Sequence, residues 1–201
     1  LRDAGLLDGN LLAFHCVWLD EADIEMFARA GAKAVHNPES NMKLASGMAP
    51  VPALQAAGVT VALGTDGCAS NNNLDMLQEM DTAAKLHKVS RLDPTAMSAK
   101  TVLRMATADG ARALGLGAET GRLAPGMKAD VITLDFNRPH LTPVYSEYSH
   151  LVYCASGSDV DNVVINGRLV MENRKILTFD EGEAMDRVNA IARRIRASLG
   201  M

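Results

Sequence analysis

Residues 59–70, VTVALGTDGCAS, decide how the chain is read. Thr60, Ala62, Gly64 and Asp66 share one face at a period of two, and Val59, Val61, Leu63 and Thr65 share the other. The first face is small and ends in an acid, whereas the second is mostly branched and apolar. This suits a strand of a parallel α/β barrel, with small residues toward the crowded axis and large ones against outer helices. Barrel enzymes carry their chemistry at the C-terminal ends of such strands. Asp66 stands where this strand stops, and Gly67 lets the chain turn away. Taken alone, the stretch is equally compatible with an aspartate that merely caps the following loop.

Working outward, Asn10–Cys16 (NLLAFHC) alternates in the same way, with His15 as its last inward-facing residue. Asp20 reads as a helix N-cap with Glu21 and Asp23 in the first turn, and Gly31 as the stop. Ala32–His36 reads as the next strand, Asn37–Gly47 as a polar loop, and Pro52–Ala57 as a short helix ended by Gly58. Asn10 to Asp66 is thus strand–helix–strand–loop–helix–strand, the repeating unit of a parallel α/β sheet or barrel. Helices are expected over Leu74–Val89, from Asp93-Pro94 to about Thr107, and over Asp109–Leu114. From Gly121 the texture changes to a strand at Ala129–Leu134 and a hairpin at Val160–Val170 turning on Asn166-Gly167. A short strand at Ile176–Phe179 and a helix over Glu181–Leu199, capped by Asp180, complete the reading. A boundary near residue 118 separates an α/β part, 1–118, from a part of antiparallel strands with one closing helix, 119–201.

The composition is that of an ordinary globular protein: 201 residues, 48% hydrophobic and 22% charged. A net charge of −4 argues against a nucleic-acid or acidic-membrane partner. No apolar run reaches the ~18 residues that would span a bilayer. Cys16, Cys68 and Cys154 are odd in number and lack CxxC spacing, so they read as free thiols in a reducing cytoplasmic compartment. No signal peptide is evident, and the absence of a start methionine fits a piece of a longer chain.

The polar groups at strand ends are His15, His36 and Asp66. A histidine and an aspartate at a barrel mouth suit a metal ion and the water it activates. They do not complete a site, because a catalytic zinc takes about three protein ligands and no HxH, HxxxH or HExxH occurs here. More ordinary readings stand beside these. His36 orders the loop after it, and His87 and His140 are solvated. Cys16 and Cys68 are small packing residues, and Asn71–Asn73 satisfies turns.

Three ordered motifs carry a resemblance: HCVWLDE at 15–21, NPESNMKLASGMAPV at 37–51 and LGTDGCASNNNLDMLQEM at 63–80. Together they resemble the second half of the amidohydrolase superfamily, within it the TRZ/ATZ-type hydrolases, and most closely the 5-methylthioadenosine/S-adenosylhomocysteine deaminases. GRLAPGMKADVITLD at 121–135 resembles that family's return from barrel to small β-sandwich. The resemblance implies the C-terminal part of a metal-dependent-hydrolase TIM barrel, strands six to eight, with part of a β-sandwich and a C-terminal helix. It implies Asp66 as metal ligand and proton carrier, His15 beside the activated water and the substrate, and Ser70 near the substrate. The cofactor implied is one divalent metal ion, zinc, whose other ligands lie outside these residues. The partners implied are a nucleoside substrate, an N-terminal barrel segment absent from this sequence and, since the group is often oligomeric, further copies of the chain. The reaction implied is hydrolytic deamination of adenine nucleosides, with this chain inactive alone. Guanine, another purine or an s-triazine as substrate ring, or a non-catalytic fragment, are the alternatives.

Overall fold

The computed structural model describes residues 1–200. Three short parallel strands, β1 (Leu12–Phe14), β2 (Lys33–His36) and β3 (Val61–Leu63), form one sheet in the order β1-β2-β3. The register pairs Phe14 with Val35, and His36 with Leu63. The ladder continues one step past β1 and β3, as His15 N–H donates to Val35 O (2.9 Å) and Gly64 N–H to His36 O (3.0 Å). All three strands therefore end along the same edge.

The connections are helical. α1 (Glu21–Ala30) begins at Asp20, whose side chain accepts from Asp23 N in a capping box, and ends at Gly31 in the left-handed region. α2 (Pro38–Lys43) occupies the segment expected to be a loop. The helix forms because Pro38 sits in the first turn, where its missing N–H costs nothing and its fixed φ suits the start of a helix. α3 (Val51–Ala56) leads into β3, and α4 (Cys68–Asn71) follows it. α5 (Met76–Arg91), α6 (Ala99–Ala106) and α7 (Ala108–Ala113) come next. Asp93 does not cap α6. Its carboxylate is bonded to Thr95 two residues on, and Ser98 caps the helix instead by accepting from Thr101 N. α8 (Glu147–Tyr153), unforeseen in the sequence, packs on α5 and α6. Leu54, Val61, Val102, Met105, Leu141 and Val152 are fully buried.

Contacts divide the chain into two compact units, Leu1–Lys128 with Phe136–Asp159, and Ala129–Asp135 with the residues from Val160 onward. The chain first crosses between them after Lys128. The segment 136–159 belongs to the first unit. The second unit is an antiparallel sheet, β4 (Val131–Leu134), β5 (Val160–Ile165), β6 (Arg168–Glu172) and β7 (Lys175–Ile176), in that order, with α9 (Glu181–Ser198). The β5–β6 turn is Asn166-Gly167, both at positive φ. No helix among the described residues is long and apolar enough to cross a membrane.

α5 buries Leu77, Glu79, Met80, Ala83, Ala84 and His87 on one face. His87, expected in solvent, is 0% exposed, because it falls on the stripe that faces β3 and α6. His36, 1% exposed, bonds not to its following loop but to His87, Nε2 to Nε2 at 3.2 Å. Each ring keeps an unpartnered Nδ1. Burial, above all, lowers both imidazoles, His36 to about 3 with His87 and His15 adding to it, and His87 to about 4 with the Arg91 charge adding to it.

The unfolded chain binds protons on these histidines below about pH 6.5, whereas the native state does not. Their contribution is complete above that pH and is lost as the pH falls toward 4. His87→Gln is accordingly expected to lose less stability than the parent between pH 7.5 and 5, by up to about 1.4 kcal/mol per pH unit. Urea unfolding at the two pH values checks this.

Candidate functional site

The strand ends deliver three short segments to one place. β1 ends in His15 at φ 67° and Cys16 at φ 51°, and β3 continues to Asp66 at φ 60°. These are left-handed conformations for side-chain-bearing residues, and they cost free energy wherever surrounding contacts do not hold them. Here they turn His15 and Asp66 into a common groove. The groove, about 510 Å³, is lined by His15, Trp18, Ser40, Asn41, Asp66 and Ser70 among others.

Both oxygens of Asp66 are occupied. Ser40 Oγ donates to Oδ2 (2.7 Å), and the Gly67 N–H donates to Oδ1 (2.7 Å). The Ser40 bond first, then the Gly67 bond, holds the Asp66 carboxyl below its ordinary value, with Ser70 adding to them. His15 is oriented by Asn41. Its Nδ1 lies 2.8 Å from Asn41 Oδ1, an atom that can only accept, so Nδ1 carries the hydrogen in the neutral ring. Nε2 then presents its lone pair 3.8 Å from Asp66 Oδ2. Two acceptors facing each other across an open groove are complementary to a donor between them, such as one water molecule.

Behind the groove lies a buried polar layer. Asn71 Nδ2 donates to Thr65 O (2.8 Å) and to Glu79 Oε1 (2.7 Å). Glu79 Oε2 receives the Glu39 N–H at 3.4 Å, and the Glu39 carboxylate accepts from Thr82 and Asn73. Burial, above all, raises the Glu79 carboxyl to about 8. Lys43 Nζ reaches Ala69 O (3.1 Å) and Asn72 Oδ1, tying the end of α2 to α4.

The structure therefore gathers the predicted His15, Asp66 and Ser70. It places His36 outside the groove, in the pair with His87. Cys16 is half-buried, its thiol pushed up by burial to about 11. Cys68 is exposed rather than packed, because α4 lies on the surface at that residue. Sequence reasoning missed Ser40, Asn41 and Glu79. Asn71, expected to satisfy a turn, is a buried link between Thr65 and Glu79. The signal for all of them was the polar text at 37–41 and 71–79, which carried no periodicity to set it apart. Among the described residues no three His, Cys, Asp or Glu side chains gather to hold a metal ion. Asp66 fits one hard-oxygen ligand of such an ion and does not complete a set.

The amidohydrolase family model matches residues 1–170. The chain belongs to the amidohydrolase family. A relative in Syntrophus aciditrophicus, 5-methylthioadenosine/S-adenosylhomocysteine deaminase 1, is 63% identical over 99% of this chain and 45% of its own length. The 5′-deoxyadenosine deaminase of Methanosarcina barkeri is 53% identical over 92% of this chain and 43% of its own. Among solved structures, an adenosine deaminase from Xanthomonas campestris with bound zinc superposes with a TM-score of 0.95. It is 42% identical and matches 98% of this chain and 45% of that one. The chain thus spans about half the length of the curated relatives it matches.

Replacing Asn41 with Leu keeps the volume and removes the acceptor from His15 Nδ1. The imidazole nitrogen shifts in 15N NMR should then move from a single Nδ1–H tautomer toward a mixture, while the fold is kept. Unchanged shifts would show that Asn41 does not fix the ring.

Proposed function

We propose that this chain supplies the His15–Asp66 half of a metal-dependent aminohydrolase that deaminates adenine nucleosides altered at the 5′ position. The observation that carries this reading is the opposed pair, with His15 Nε2 and Asp66 Oδ2 3.8 Å apart across a groove. Similarity to deaminases named for methylthioadenosine, S-adenosylhomocysteine and 5′-deoxyadenosine supports the substrate class. In this reading β1, β2 and β3 are barrel strands accompanied by the helices of the first unit, and β4–β7 contribute to a β-sandwich with the closing helix α9. The compartment is the cytoplasm.

Asp66 would be one ligand of a divalent ion, zinc by comparison with the Xanthomonas structure, with the other ligands outside these residues. When bound, that ion supplies Lewis-acid activation of water. The chain's own residues do the rest. Asp66, kept ionised by Ser40 and the Gly67 N–H, takes the first proton from the attacking water. His15, its Nδ1 hydrogen committed to Asn41, accepts from that water at Nε2 and orients it toward the ring carbon bearing the amino group. Oxygen adds to that carbon as the ring C=N π pair moves to the ring nitrogen, giving a tetrahedral adduct, and the C–N bond to the amino group then breaks with its electron pair going to the amine nitrogen. Asp66 returns its proton to the departing amine, the remaining hydroxyl proton passes to the ring nitrogen, and ammonia leaves the oxo product. Ser70 borders the same groove and is the residue here for a polar contact to the substrate.

The test uses this chain complemented with the part of the Syntrophus relative that it does not match. Ammonia release from 5′-methylthioadenosine is expected, with little from the chain alone. Asp66→Ala should lower turnover by about 10³-fold or more and empty the metal site, read by elemental analysis. His15→Ala should lose turnover by about 10²-fold or more while keeping most of the zinc. Retention of both zinc and turnover in Asp66→Ala would rule the reading out.

A further inference from the structure

Glu79 is 0% exposed, carries an ionisable group, and has no place in the chemistry above. A side chain of that kind is costly to bury unless its oxygens are spoken for. Glutamate is moreover a poor choice for the apolar face of α5, whose neighbouring positions are Leu77, Met80, Ala83 and Ala84. Its partners explain the choice. Oε1 accepts from Asn71 Nδ2, and the same amide group donates to the carbonyl of Thr65, the residue before Asp66. Oε2 accepts the N–H of Glu39, the residue before Ser40 and two before Asn41. The Asp66 turn and the α2 helix thus meet on one carboxyl group. Ser40 holds Asp66, and Asn41 holds His15.

We propose that Glu79 is a positioning residue, a buried clamp that fixes the spacing between the Asp66 turn and α2 and thereby the His15–Asp66 separation. The proposal rests on the reading of that pair as the reacting groups. Asp66 adopts a left-handed backbone that it would leave if the Thr65 carbonyl were free to rotate. The short α2 has no side-chain N-cap to hold its first turn, so the Glu39–Glu79 bond stands in for one. Neither Asn71 nor Glu79 lines the groove with Asp66, so both act through the residues they hold.

Three variants separate a clamp from bulk stability. Glu79→Gln keeps an acceptor for Asn71 and sets an amide NH2 against the Glu39 N–H. Glu79→Leu removes both bonds at similar volume, and Asn71→Leu removes the link to Thr65. In the complemented enzyme, Glu79→Leu is expected to lower kcat by about 10²-fold with KM within a few-fold, the cost of a misplacement of about 1 Å. Glu79→Gln should recover most of that loss, to within about 10-fold of the parent, the scale of one hydrogen bond. The double variant Glu79→Leu/Asn71→Leu should lose less than the product of the two single losses, since both break the same chain of bonds from Thr65 to Glu39. Leu54→Val, destabilising and outside the hydrogen bonds of the clamp, should leave kcat unchanged. Equal loss in Leu54→Val and Glu79→Leu, or a fully additive double variant, would overturn the proposal.

A second readout does not depend on turnover. In this chain alone, Glu79→Leu should speed amide hydrogen exchange at residues 37–43 and 64–71 together, leaving the β5–β6 hairpin as it was. If the parent releases no ammonia, the functional reading fails and exchange alone judges the clamp. Exchange that is unchanged, or raised throughout the chain, would overturn it.

Discussion

The site depends on the register of three parallel strands. Because Phe14 pairs with Val35, and His36 with Leu63, the chain leaves the sheet along one line at His15, Asn37 and Gly64. The two bonds beyond the regular strands, His15 N–H to Val35 O and Gly64 N–H to His36 O, carry that alignment to the residues that turn. A slip of one residue in β1 would send His15 to the other face of the sheet. The side-chain chemistry is thus set by backbone pairing several residues away. The strands can be as short as three residues because helices cover them, and Val61, Ala62 and Leu63 are all buried.

Alignment alone does not hold the turns. His15, Cys16 and Asp66 are all left-handed, and the compensation lies in side-chain bonds between segments: Ser40 to Asp66, Asn41 to His15, Asn71 to Thr65. The same helix, α5, supplies two buried titratable residues with opposite consequences. His87 is kept neutral, so its contribution fades in acid. Glu79, with its carboxyl raised to about 8, binds a proton in the native state that the unfolded chain releases from about pH 4.5 upward. Its contribution is present in acid and fades as the pH rises through 8. Between about 4.5 and 6.5 the two slopes oppose each other, which flattens the dependence of stability on pH where the site's own carboxylate is already ionised.

Much of this was legible in the sequence, for reasons that differ by residue. The period of two in VTVALGTD located β3 and Asp66. Asp20 and Gly31 bounded α1, and Asn166-Gly167 fixed the hairpin, because capping and turn chemistry are local. His87 was misplaced because a histidine on a helix looks solvated unless the buried stripe is drawn through it. His36 found its partner 51 residues away, a distance that no local pattern encodes. Ser40, Asn41, Asn71 and Glu79 form the cross-links of the site. Polar residues in a polar stretch offer no contrast from which their long-range partners can be inferred.

The electrostatics of the groove bear on how its chemistry divides. Within these residues Asp66 is the carboxylate that lines the groove, its charge met by hydrogen bonds from Ser40, the Gly67 N–H and Ser70 rather than by a lysine or arginine. A carboxylate stabilised by neutral donors keeps its full negative charge facing the cavity, whereas one paired with a cation would not. Such a group can attract a divalent ion and still receive a proton, two tasks that a salt bridge would compete with. His15 sits on the far side with its hydrogen turned away toward Asn41, so it too offers an acceptor. At His15 and Asp66 the groove on this chain therefore presents two acceptors.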